Sequence, residues 1–225
     1  MNIASIVKLW HRILNGLFPL RCLRCQKVGD QHALCLSCRA QVPAPKLRQL
    51  DLSGVDQLYY VCLYEDWVKH GLHDLKFKRR RQTGLALGRW ALNPAVLNAL
   101  PGFDLLVPVP LHWSKRWQRG FNQVDILFAS LIAHSRLPYI SAIRRQRRTP
   151  PLFGLSRLER REVMKEVFGS ARDLRAQIAG QRILILDDIV TTGATVGDLA
   201  QFLKSQGAGR VSVLALAYTP LGKHV

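Results

Sequence analysis

The stretch "ILILDDIVTTGAT", residues 183–195, carries the densest chemistry in the chain. Its aliphatic run reaches two adjacent acids, Asp187 and Asp188, and a short bend of Thr191, Thr192, Gly193, Ala194 and Thr195 follows. A glycine- and threonine-rich turn opening a helix offers backbone N–H groups, hydroxyls and the positive end of the helix dipole to one small volume, which suits a phosphate monoester. Carboxylates repel a phosphate unless they serve another group, by accepting hydrogen bonds from neutral sugar hydroxyls or by holding Mg2+ through oxygen. Together the two features describe a ribose 5-phosphate, with the acids on the ring hydroxyls and the bend on the phosphate. A second constellation, Cys22, Cys25, Cys35 and Cys38, is two C-x-x-C pairs separated by nine residues. Each pair turns two thiolates towards one centre, and two pairs complete a four-sulfur shell for structural Zn2+ with no position left open for catalysis. His32 reads as a surface side chain and Cys62 as a buried strand residue.

These groups need a scaffold. "RILILDD" is apolar on both faces, as a central parallel strand is, so the strand is expected to end on its acids at the carboxyl edge of a sheet, where open α/β sheets bind ligands. The pattern predicts further strands at 57–64, 103–110 and 210–217 and helices at 66–76, 83–99, 120–135 and 196–206. Strands alternating with helices predict a mainly parallel sheet covered on both faces. "VPAPKLRQLDLSGVD", residues 42–56, has the composition of a linker. The expected organisation is an amphipathic helix plus zinc finger over 1–50 and an α/β domain over 51–225. In the first eighteen residues Ile3, Ile6, Val7, Trp10, Ile13, Leu14, Leu17 and Phe18 keep a helical rhythm. Docking of that stripe on the rest of the protein is the plainer reading, and peripheral membrane contact is the other.

Composition limits the function classes. With 225 residues, 48% of them apolar, the chain can bury a real core. Its formal charge of +18 predicts attraction to polyanions: nucleic acid, phosphorylated small molecules or an anionic membrane face. No transmembrane run and no secretory signal is evident, so the expected address is cytoplasmic, with peripheral contact at the inner face of the membrane as a variant. "ILILDD" also fits a Walker B strand, but the chain contains no G-x-x-x-x-G-K-[ST] partner motif.

"ILILDDIVTTGAT" resembles the binding motif for phosphoribosyl pyrophosphate (PRPP) in class I phosphoribosyltransferases. PRPP carries a diphosphate on C1, which calls for cations opposite the bend. Besides Arg157, Arg160 and Arg161 there are three basic clusters: "KFKRRR" at 76–81, "KRWQRG" at 115–120 and "RRQRR" at 144–148. The middle one follows the strand "LLVPVP" and precedes the helix expected near "GFNQ", so Arg116 and Arg119 are the candidates for the diphosphate, together with Mg2+.

"VPVPLHWSKRWQRGFNQ" is similar to a signature of the ComF/GntX family, associated with DNA uptake in natural competence or with DNA utilisation. The four-cysteine element, "YEDWVKHGLHDLKFK" and the PRPP-type motif stand in that family's order. The resemblance implies a class I phosphoribosyltransferase-like fold behind a zinc finger, with Asp187 and Asp188 in the catalytic positions. Two departures fall in the region resembling the transferases' mobile loop: Leu152 replaces a glutamine and Glu162 an asparagine, and they weigh on turnover more than on binding. Two functions remain open. One is a glycosyltransferase-class enzyme that transfers a phosphoribosyl group. The other is a non-catalytic adaptor that binds single-stranded DNA and import proteins of helicase-like or recombination-mediator type, with Trp67, Trp113, Trp117 and Phe121 as stacking platforms.

Overall fold

Two predominantly aliphatic runs, Arg182–Val190 (β6) and Arg210–Tyr218 (β7), form the centre of the sheet because both of their faces are buried. The computed structural model describes residues 20–28, 32–145, 168–170 and 173–220. The amphipathic run over the first eighteen residues and the positions Thr149, Leu152, Leu155, Arg157, Arg160, Arg161 and Glu162 lie outside the described residues.

β7 pairs in parallel with β6 and with Gln57–Leu63 (β2), and β6 pairs in parallel with Leu105–Pro108 (β3). Arg48–Leu50 (β1) adds an antiparallel edge, so the order among the described residues is β1-β2-β7-β6-β3. The stretch with linker composition thus contributes a strand of its own. On the far side, the chain around Tyr139 covers part of β3's edge, through Leu106 N–H to the Pro138 carbonyl at 2.9 Å and Ile140 N–H to the Leu106 carbonyl at 3.0 Å. Ile143–Arg145 (β4) and Phe168–Ser170 (β5) make a separate antiparallel pair.

Alternation along β6 splits the core. Leu184 and Leu186 join one cluster with the helices Asp66–Phe77 (α2), Arg81–Ala91 (α3) and Pro94–Asn98 (α4), and with Gln123–Leu127 (α6) and Ala129–Ser135 (α7). Ile183 and Ile185 join the other with β4, β5, Leu174–Ile178 (α8) and Ala194–Ser205 (α9). Each fully buried leucine in these clusters contributes about 1.5–3 kcal/mol. α3 and α6 approach closely at Gly88, where an added Cβ would lie 2.1 Å from the Leu127 carbonyl oxygen.

The cysteine element has no core of its own. Cys22, Leu23, Ala33, Leu34 and Cys38 belong to the first cluster, beside α2 and α3, and Leu36–Ala40 (α1) carries Cys38. The remaining helix, Trp113–Arg119 (α5), has no buried residue. Its lack of an apolar stripe explains why periodicity predicts a helix only from about residue 120.

The helix expected over 83–99 is two helices, because Asn93 caps α4 by accepting a hydrogen bond from Val96 N–H and Pro94 stands in its first turn. The expected helix at 120–135 is likewise split at Phe128. β6 does not end on its acids. It continues to Val190, keeping Asp187 opposite Ala215 and Val190 opposite Tyr218.

Candidate functional site

The bend forms as the sequence dictates. β6 ends at Val190, and Gly193 takes φ +77° as the residue before α9. A Cβ there would lie 2.6 Å from the Leu52 side chain, so both backbone and packing favour glycine. Ala194 N–H donates to Thr192 Oγ1 at 3.4 Å. Thr191, Thr192 and Ala194 are exposed and Thr195 half-buried, while Val196, Leu199 and Phe202 anchor α9 beneath them.

Asp187 and Asp188 are only 8% and 6% exposed, yet both line the same cleft as the bend. The cleft has a volume of about 650 Å³ and is walled by the segment after β3, by α5 residues Ser114, Lys115 and Arg119, and by Lys76 of α2. Asp188 N–H donates to Asp187 Oδ1 at 2.8 Å, and Ile189 N–H to Asp188 Oδ1 at 3.0 Å. Burial pushes the Asp187 pKa well above the usual carboxylate range, and the neighbouring charge of Asp188 pushes it further. Asp188 Oδ2 is buried, and the Lys76 ammonium closes on it as an ion pair.

Lys76 belongs to the 76–81 cluster, which position along the sequence ranks below the 115–120 cluster. Of the two arginines expected on a diphosphate, Arg119 lines the cleft, with Nη1 donating to Gln123 Oε1 at 2.9 Å and its guanidinium 5.6 Å from the centroid of Phe77. Burial lowers the Arg119 pKa, while the charge of Asp188 acts in the opposite sense. Arg116 is exposed on α5 and is not among the residues lining the cleft. Two further wall residues lie inside the "VPVPLHWSKRWQRGFNQ" signature, which by itself gives them no role: buried Gln123, and His112, whose Nδ1 accepts from Ser114 N–H at 3.4 Å at the start of α5. Asn122 fixes the wall by capping α6 through Val124 N–H and by donating Nδ2–H to the Val109 carbonyl at 3.2 Å.

Sulfur atoms of Cys22, Cys25, Cys35 and Cys38 lie within 4.8 Å of one another, and no pair is disulfide-bonded. This spacing fits a metal such as zinc in a four-thiolate shell. Burial raises the Cys22 pKa, but backbone hydrogen bonds from Cys25, Cys35 and Arg24 outweigh it and bring the value to about 6. Burial, reinforced by the other three sulfurs, pushes Cys38 up to about 12. His32 is exposed, and Cys62 is half-buried on β2 with its thiol donating to the Leu216 carbonyl at 3.2 Å.

The four aromatic residues grouped as stacking platforms separate. Trp67 is buried edge-on against Trp90, at 4.6 Å between centroids, and is a core residue. Phe121 is half-buried beneath Arg81. Trp113 and Trp117 are 69% and 85% exposed on α5. No described helix is long and apolar enough to cross a membrane.

Residues 119–224 match the family model described as the phosphoribosyl transferase domain. The chain is 38% identical over 154 residues to the DNA utilization protein YhgH of Salmonella typhi, a match covering 66% of each chain. It is 28% identical over 231 residues to competence protein F of Haemophilus influenzae, covering 90% of this chain and 98% of that one. With competence protein ComFC of Bacillus subtilis it shares 27% identity over 198 residues, covering 87% and 76%. A phosphoribosyl transferase domain behind a four-cysteine cluster, with competence and DNA-utilisation proteins as relatives along most of its length, places this chain in the ComF family.

Proposed function

We propose that the cleft binds PRPP or a closely related phosphorylated ribose, in the service of DNA uptake or DNA utilisation. One observation carries this reading: the acid pair and the threonine-glycine bend line a single cleft at the carboxyl ends of β3 and β6. The bend and the start of α9 hold the 5-phosphate through N–H groups and hydroxyls. Asp187 and Asp188 accept hydrogen bonds from the ribose hydroxyls, and Arg119 faces the C1 substituent. Arg116 supports it only by a swing of its exposed side chain. Mg2+ accompanying the diphosphate fits the donor set, since two carboxylates stand side by side on the cleft, and when bound it would supply charge neutralisation for the diphosphate. In transfer, the sugar's C1–O bond breaks and the diphosphate leaves with the electron pair. An acceptor lone pair forms the new bond to C1 while the acids stabilise the cation-like sugar. Zn2+ in the cysteine cluster is structural.

Titration calorimetry with PRPP and Mg2+ tests binding, and pyrophosphate release in the presence of nucleobases tests turnover. Asp188→Asn abolishes both. Failure of wild-type protein to bind PRPP overturns the reading.

A non-catalytic role on single-stranded DNA, with import proteins as partners, is favoured by a different observation. α5 buries none of its residues and presents Trp113 and Trp117 between Lys115, Arg116 and Arg119, an arrangement suited to base stacking beside phosphate contacts. Oligothymidylate should quench tryptophan emission with a steep salt dependence. If Trp113→Ala/Trp117→Ala binds the oligomer as tightly as wild type, this second role is lost while the cleft's role is untouched.

A further inference from the structure

Lys76 stands where a ligand of the acid pair has to go. Its side chain is 18% exposed and its ammonium forms an ion pair with Asp188 Oδ2. A buried carboxylate that loses its cation is strongly destabilised, and the ammonium suffers in turn unless another anion receives it. Lys76 and Asp188 both line the cleft, so the acid beside the bend is already charge-paired before a ligand arrives.

Ligands differ in what they offer this lysine. A sugar hydroxyl donates a hydrogen bond to Asp188 and its oxygen accepts one from the ammonium, but it brings no negative charge to replace the carboxylate as the lysine's counter-ion. A bare divalent cation brings repulsion as well as attraction, because it arrives beside a positive charge. A sugar bearing a phosphoryl anion on its anomeric carbon supplies both a donor for the acid and a new partner for the lysine.

The backbone below Lys76 is fixed, so the exchange requires only a side-chain movement. Leu75 is fully buried, Phe77 lies under the Arg119 guanidinium, and the Arg79 guanidinium donates to the Gln118 carbonyl. Lys76 and Arg119 line the same cleft, so an anomeric anion meets two cations.

We propose that Lys76 is an internal counter-ion that reserves the acid pair for sugars phosphorylated at both the 5-position and the anomeric carbon, excluding bare divalent cations and singly phosphorylated sugars. This rests on the ribose-phosphate reading of the cleft and adds its selectivity.

Calorimetric titration of the full chain with Mg2+ alone, ribose 5-phosphate and PRPP tests it. Wild type should prefer PRPP to ribose 5-phosphate by at least about tenfold, and Lys76→Met should cut that preference to the part Arg119 supplies while raising affinity for Mg2+ alone about tenfold. Lys76→Arg, which keeps the charge, should retain the full preference. A Lys76→Met protein that keeps the wild-type affinity ratio and gains no Mg2+ affinity overturns the proposal. Should that variant fail to fold by circular dichroism, Lys76→Gln is titrated in its place and decides in the same way. Wild type that binds neither sugar removes the ribose-phosphate reading, while a Mg2+ gain in Lys76→Met still reports the counter-ion itself.

Discussion

The four-cysteine cluster and the acid cleft both set polar groups against the same apolar core, and they complete their charges in opposite ways. In the cluster four sulfurs turn inward on one another and fit a metal ion, leaving no open valence. In the cleft, two carboxylates on β6 are buried about as deeply as Cys38 and more deeply than Cys25 and Cys35, yet they face an open volume, with a lysine from α2 paired to one of them. A closed set of ligands stabilises; an exchangeable side-chain cation leaves room for a visitor. That difference is the physical ground for the proposal of a structural role for the cluster and a binding role for the cleft.

The largest expected effect tests the closed side of that contrast. Structural zinc in small modules carries about 10–16 kcal/mol of binding free energy. Because Leu23 and Leu34 lie in the core shared with α2 and α3, chelation or Cys22→Ser should lower the melting temperature of the whole protein. A melt unchanged after metal release, followed with a chromogenic chelator, would break the comparison. The open side is tested by removing one partner of the ion pair. Asp188→Asn should cost about 3–5 kcal/mol in denaturant unfolding, as breaking buried pairs does. The Asp188→Asn/Lys76→Met double variant should cost less than the sum of the single changes; additive losses would mean that the pair is not coupled.

Smaller effects sharpen the picture. Gly193→Ala forces a left-handed backbone worth about 1–2 kcal/mol, with crowding against Leu52 in addition. Its thermal shift should accompany weaker binding of inorganic phosphate. The smallest effect lies far from both sites, where Arg182 holds Asp104 through contacts of 2.7 and 3.0 Å and lowers its pKa to about 2. An acid depressed in the folded state stabilises above its unfolded value, about 3.9, and that contribution fades as pH falls through the folded value. Asp104→Asn should therefore flatten the loss of stability between about pH 4 and about 2, read from acid titration by circular dichroism.

What the sequence made legible follows from the strength of local signals. β6, β7, α2 and α9 are plain because continuous burial or a 3.6-residue stripe leaves a clear pattern, and the bend and cysteine pairs are plain because their spacing is short. α5 is silent to periodicity because it buries nothing. β1 is a three-residue edge strand in a proline-containing stretch, stabilised by pairing with β2 rather than by its own composition. Lys76 was visible only as one cation among six residues. Lys76 lies in the last turn of α2, whereas Lys78, Arg79 and Arg80 follow its end and Arg81 opens α3, and which of these cations reaches the cleft is set by tertiary packing. Arg116 and Arg119 share a cluster for the same reason, although only Arg119 lines the cleft.

Leu23 reaches so far inward that a Cβ on Gly71 would lie 2.8 Å from its methyl group. Cutting the chain after residue 50 to obtain a minimal α/β fragment would leave an oily scar on α2 and α3. The N-terminal element is therefore a lid for hydrophobic surface, and a shortened protein is expected to clump during expression. Fragments meant for crystallisation or screening should keep the cysteine segment and be supplied with zinc during growth.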